Sequence, residues 1–181
     1  MIWESSYWKE DLLETADYLE SWLERTDWSE EQLVDFEKAV FMSAYSVRKL
    51  SDSYKLSEET KSDTIQAIKY PCQAERVNLM NSWEYWDLYD LENGTPISLS
   101  IRKLCNQLIH SFVFLAESEG PEDEILSTIL FNSDYTKEDL LYRVKIADYV
   151  GVLKEVGNDY PSRGRFYYDS DEDEYIFEAK Q

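Results

Sequence analysis

The tetrapeptide Ser29-Glu30-Glu31-Gln32 sets where one long helix must begin. The Ser hydroxyl can accept from the third amide of the helix while the Gln side chain reaches back to the Ser amide, a capping box. Trp28 before the cap and Leu33 after the box have the spacing of a hydrophobic staple. Beyond them Phe36, Val40, Ala44, Val47 and Leu50 recur at three- and four-residue steps and predict one buried face, widened by Phe41 and Tyr45. Arg48 and Lys49 fall in the last turns, where cations suit the helix dipole.

Two further helices are expected. Trp8, Leu12, Ala16, Leu19 and Leu23 share a face over 7–24, with Ser5 or Ser6 as cap. Over 99–116, capped by Ser98, the residues Ile101, Leu104, Cys105, Leu108, Phe112 and Leu115 form an apolar face, and Ile109, Val113 and Phe114 extend it. A helix apolar nearly all round belongs at the centre of a fold. A short strand is predicted over 64–70, ended by Pro71. Residues 72–92, rich in Trp and Tyr, should cover a core edge or an interface, before the Asn93-Gly94 turn. The β-branched runs 125–131 and 141–146 read as strands. A short helix over 147–156, stopped by Gly157, and a hairpin of 165–168 with 175–178 complete the chain. The fold class expected is α+β: a helical bundle over 1–120 followed by a small α/β appendage over 121–181, packed on the bundle.

Composition excludes several roles. The formal charge is −20 and aromatics make up 15% of 181 residues. So many large side chains do not suit disorder, and so much acid repels phosphate backbones and anionic membranes. No apolar run approaches the roughly 20 residues that span a bilayer. The opening Met1-Ile2-Trp3-Glu4 is no signal peptide, so the cytoplasm is the expected compartment. Cys72 and Cys105 with one His cannot complete a structural zinc site. Asp169, Asp171 and Asp173 alternate like the first ligands of an EF-hand loop. Glu174 then stands where Gly is required and Lys180 where a bidentate Glu is required, so a solvated turn is expected and no metal. No phosphate- or dinucleotide-binding fingerprint is present, and no cofactor is expected.

His110 is the sole histidine, and Arg102, Asn106 and His110 lie four residues apart on one helical stripe. Its plain reading is a buried or half-buried imidazole bonded to a polar neighbour. Cys105-Asn106-Gln107-Leu108-Ile109-His110-Ser111-Phe112 resembles the R-x4-H-x-Y motif of HEPN (higher-eukaryote-and-prokaryote nucleotide-binding) domains. The resemblance implies a helical bundle over 1–116 and a setting in toxin–antitoxin or phage-defence systems. It also implies an RNase centre shared across a homodimer through the 99–116 helix. His110 would move the 2′-hydroxyl proton and an Arg would stabilise the phosphate. Cys105 replaces the motif Arg and Phe112 the motif Tyr, and Arg102 restores the charge only at a broken spacing.

The function expected is therefore a non-catalytic acidic interaction protein on a HEPN-like scaffold. It would bind a protein partner, a basic one by charge, through Trp83, Tyr85, Trp86, Asp87, Tyr89 and Asp90. The alternatives are a metal-independent RNase using His110, Arg102 and Asn106, which alone would engage nucleic acid, and an acidic mimic of nucleic acid that inhibits a basic protein.

Overall fold

The computed structural model describes residues 2–118, 125–170 and 173–180. Asp171 and Glu172, in the acidic run considered above as a cation site, lie outside them.

Helix α1 (Ser5–Glu20) runs on into a 3-10 turn at Ser21–Glu24. Its cap is Glu4, whose carboxylate accepts from the Ser6 amide at 3.0 Å, and neither serine expected for that role serves. Helix α2 (Glu30–Asp52) starts at the expected capping box: the Ser29 amide donates to Gln32 Oε1 at 2.8 Å, and the Gln32 amide to Ser29 Oγ at 3.3 Å. Phe36, Val40, Ala44, Val47 and Leu50 are all buried, as the periodicity requires. Trp22 packs edge-on against Phe36, ring centroids 5.1 Å apart, and against Trp28 at 6.0 Å.

A short helix, α3 (Glu58–Ser62), leads into strand β1 (Thr64–Pro71). A single helical turn, α4 (Tyr85–Leu88), interrupts the connection to β2 (Thr95–Ser100). Then follow α5 (Ile101–Ile109), β3 (Ser111–Glu117), β4 (Thr128–Ser133), β5 (Leu140–Lys145) and α6 (Ile146–Asn158). A separate hairpin of β6 (Arg163–Asp169) and β7 (Glu174–Lys180) ends the described chain.

The expected helical bundle with a small β appendage is not the fold. The protein is a mixed α/β structure around a five-stranded antiparallel sheet of order β2-β1-β5-β4-β3. Two of its three inner strands, β4 and β5, come from the segment read as the appendage. The source of the error is the run 99–116, which is no single helix. Ser100 caps α5 by accepting from the Lys103 amide at 3.3 Å, and α5 ends at His110 after nine residues. Phe112, Val113, Phe114 and Leu115 then form β3. A helix apolar all round and a helix followed by a strand covered on both faces give the same hydrophobic record, and β-branched and aromatic side chains favour the second.

The sheet has two covered faces. Helices α1, α2, α5 and α6 lie on one, where Leu12, Phe36 and Leu104 join a core with Ile65, Phe131, Tyr142 and Val144. On the other, Tyr70, Val113, Leu130 and Leu141 are covered by Val77, Leu88 and Tyr89 of the long β1–β2 connection. Strand β4, buried along its whole length, lies between the two cores.

One cation is folded into the helical side. Lys9 is 1% exposed, and its ammonium donates to Lys55 O at 2.9 Å and to Asp159 O. Burial lowers its pKa, an effect that Asp159 opposes. Asp159 Oδ2 in turn accepts from the Ser57 amide at 2.7 Å. Three segments far apart in the chain are thus tied at one point.

Candidate functional site

The β1–β2 connection, residues 72–94, is where the aromatic residues singled out from the sequence reach the surface. Its ends are fastened to the sheet. Cys72 and Tyr89 form an isolated antiparallel bridge, the Gln73 amide donates to Leu88 O at 2.9 Å, and the Asp90 amide to Pro71 O at 3.0 Å. Tyr89 is fully buried, so it is an anchor and not the exposed contact residue expected. Its hydroxyl donates to Lys137 O at 2.7 Å and accepts from Asn132 Nδ2 at 2.7 Å. Asn132, itself buried, also donates to Leu140 O and accepts from the Val113 amide at the bulge of β3. One amide therefore ties the connection to three strands.

The tip of the connection is stiffened by its own side chains. Asn81 Oδ1 accepts from the Asn78 amide at 2.8 Å, Asn78 Oδ1 from the Met80 amide at 2.8 Å, and Asn81 Nδ2 donates to Arg76 O at 3.0 Å. Asn side chains that bond nearby backbone in this way hold tight turns without regular structure. What the turn presents is apolar: Leu79 is 81% exposed and Met80 84%, beside Trp83 at 60% and Trp86 at 50%. Trp83 and Trp86 stack edge to face at 6.0 Å, and Tyr85 meets Trp86 at 5.2 Å.

Tyr85 faces inward beneath this surface. Its hydroxyl donates to Glu117 Oε2 at 2.8 Å, and burial followed by Glu117 pushes its pKa up to about 12. Glu117 is ion-paired with Arg143, whose guanidinium lies over the Tyr70 ring at 5.1 Å. Asp87 is exposed, and Asp90 is half-buried, accepting from Asn93 Nδ2 at 2.8 Å in the turn that returns to β2. Five acids, Glu75, Glu84, Asp87, Asp90 and Glu92, face one base, Arg76, within the connection.

The second set of sequence candidates is arranged otherwise. Arg102 pairs with Asp52 of α2 at 3.3 Å, and Asn106 Oδ1 accepts from Arg48. His110 caps α5; its backbone bridges Asn106 and Asp134, and its side chain is exposed, not buried as expected. Cys105, at the position of the motif Arg, is a core residue whose thiol burial pushes up to about 12. Arg102 and Asn106 thus serve the α2–α5 contact.

Reasoning from sequence missed Leu79, Met80 and the Glu117–Arg143 pair. The Asn78-x-x-Asn81 spacing around two apolar residues was the available signal for the first two. The partners of the pair lie 26 positions apart and become neighbours only through strand pairing.

Among the described residues no helix is long and apolar enough to cross a membrane. No family model matches the chain, and no curated protein or solved structure matches it either.

Proposed function

We propose that the protein is a non-catalytic binding protein that docks a protein partner on the stiffened tip and single-turn helix of residues 78–87. The observation that carries this reading is the exposure of Leu79, Met80, Trp83 and Trp86 within eight residues of one another. Scattered exposed hydrophobes are ordinary, whereas large contiguous ones mark contact surfaces. Trp is the residue most often found as an energetic hot spot, and Met adapts to irregular surfaces. The asparagine-bonded turn is already ordered, so little conformational entropy is lost on docking.

The acids around the tip select a partner with a basic rim around an apolar pocket. A second copy of the chain is a poor occupant, because each copy brings a net charge of −20.

The test is capture of partners by immobilised wild type beside a Trp83→Ser/Trp86→Ser variant, followed by affinity measurement with the partner so identified. Loss of affinity by about thirtyfold or more in the variant, and weakening by added salt, is the expected result. A partner that binds both forms equally would show that the tip is not the docking surface.

A further inference from the structure

The two edges of the sheet differ. Strand β2 carries Pro96, which has no amide to donate, and is otherwise polar at Thr95, Ser98 and Ser100. Strand β3 has no such protection. No charge stands between Ser111 and Ala116, the large side chains are all apolar, and of these residues Val113 alone is fully buried. Natural sheets blunt an open edge with lysine, proline or a bulge. The bulge of β3 lies between Ser111 and Val113, and from Val113 to Glu117 five residues pair with β4 in unbroken register.

The hydrogen bonds fix which backbone groups face outward. The Val113 amide donates to Asn132 Oδ1 at 3.2 Å, and Glu117 O accepts from the Ser127 amide at 3.1 Å, so both residues turn their backbone groups to β4. Alternation places Leu115 with them and turns the N–H and C=O of Phe114 and Ala116 away from the sheet. Among the described residues no strand lies beyond them. Side chains flank this ladder on both faces. Phe114 and Ala116 border the helical core, where Phe114 meets Phe41 of α2 with ring centroids 4.7 Å apart and Tyr45, one turn on, is exposed. Leu115 borders the other core, on the side where Tyr85 reaches Glu117. Strand β3 therefore ends at the helical turn that carries Trp86.

We propose that the outer edge of β3 takes an extended segment of the partner as a sixth strand, beside the tip. This deepens the docking reading above and rests on it for the partner. Two outward amides and two outward carbonyls are matched only by another extended backbone, and apolar side chains on both faces of the edge suit a segment with apolar residues along it. The net charge of −20 favours lysine or arginine at the ends of that segment and opposes edge-to-edge pairing of two copies.

The probe is a synthetic peptide of alternating valine and threonine with lysine at each end, added to the isotopically labelled full chain. Its control is the same peptide N-methylated throughout its centre, which keeps the side chains and cannot pair. The first peptide should shift the amides of Phe114 and Ala116 with a Kd on the order of 1 mM, and at tenfold excess over Kd should slow their hydrogen exchange about tenfold. The methylated peptide should do neither. Ala116→Pro removes an outward amide and no bond to β4, a place where an edge strand tolerates proline, and should weaken the peptide about tenfold while the spectrum reports the fold. Trp83→Ser/Trp86→Ser should pair with the peptide as wild type does, so failure at the edge and failure at the tip are read separately. The proposal is overturned if the peptide shifts neither edge amide, if the methylated peptide acts equally, or if folded Ala116→Pro binds as wild type does. Protection of Phe114 and Ala116 that grows with protein concentration in the absence of peptide would also overturn it, by assigning the edge to a second copy.

Discussion

Glu155 on α6 should make the protein less stable as pH rises through neutrality. Burial raises its pKa first, then a hydrogen bond and repulsion from Asp63, then Asp159 and Glu59, to about 7 from 4.5. The folded state therefore holds a proton on this group between about pH 4.5 and 7 that the unfolded chain releases. Its stabilising effect is complete below about 4.5 and is lost as pH rises through 7. Glu155 is exposed, so solvent screens the repulsion and about 1 kcal/mol is the figure to expect. Glu155→Gln imitates the protonated form at every pH. It should match wild type near pH 4.5 and exceed it by about 1 kcal/mol near pH 8, or about 2–4 °C in Tm. Urea unfolding of both proteins at the two pH values measures this as a difference of differences, in which the other titrating groups cancel. A Glu155→Gln effect of the same size at both pH values, or one confined to acid, would refute the reasoning.

Other expectations follow from buried groups. Lys9→Met keeps the aliphatic stem but deprives Lys55 O and Asp159 O of this donor inside the fold, and should cost about 2–4 kcal/mol in urea unfolding. Cys105, 1% exposed and with its thiol pushed up to about 12, should resist a thiol reagent until the protein unfolds, whereas half-buried Cys72 should be labelled first in native conditions; equal native rates, read by mass spectrometry, would contradict the burial of Cys105.

The elements legible in the sequence were those specified by neighbours in the chain. The Ser29 box and the apolar steps from Phe36 to Leu50 determine α2 locally, and Pro71 ends β1 by removing a backbone donor. The run 99–116 failed because hydrophobic period cannot separate a central helix from a short helix plus a doubly covered strand. The error then spread: with β3 read as helix, the strands after residue 121 had no sheet to join and became an appendage. Lys9 was missed because burial of a cation depends on carbonyls supplied by residues 55 and 159. At the candidate site, Trp83 and Trp86 were recognisable by composition alone. Tyr89 was not separable from them, since what buries it is Asn132 on a strand 43 residues away.

The order β2-β1-β5-β4-β3 also bears on how the chain is made. When synthesis has reached residue 139, β1–β2 and β3–β4 can each have paired, but the strand that joins them does not yet exist. Two separate hairpins then expose the edges of β1 and β4, and the apolar faces meant for α6 remain wet. Unpaired edges of this kind invite pairing with other chains. Residues 140–158 supply the joining strand and the covering helix in one continuous segment, so the sheet closes late and in one step. A nascent chain stalled before residue 140 should be the aggregation-prone form of this protein.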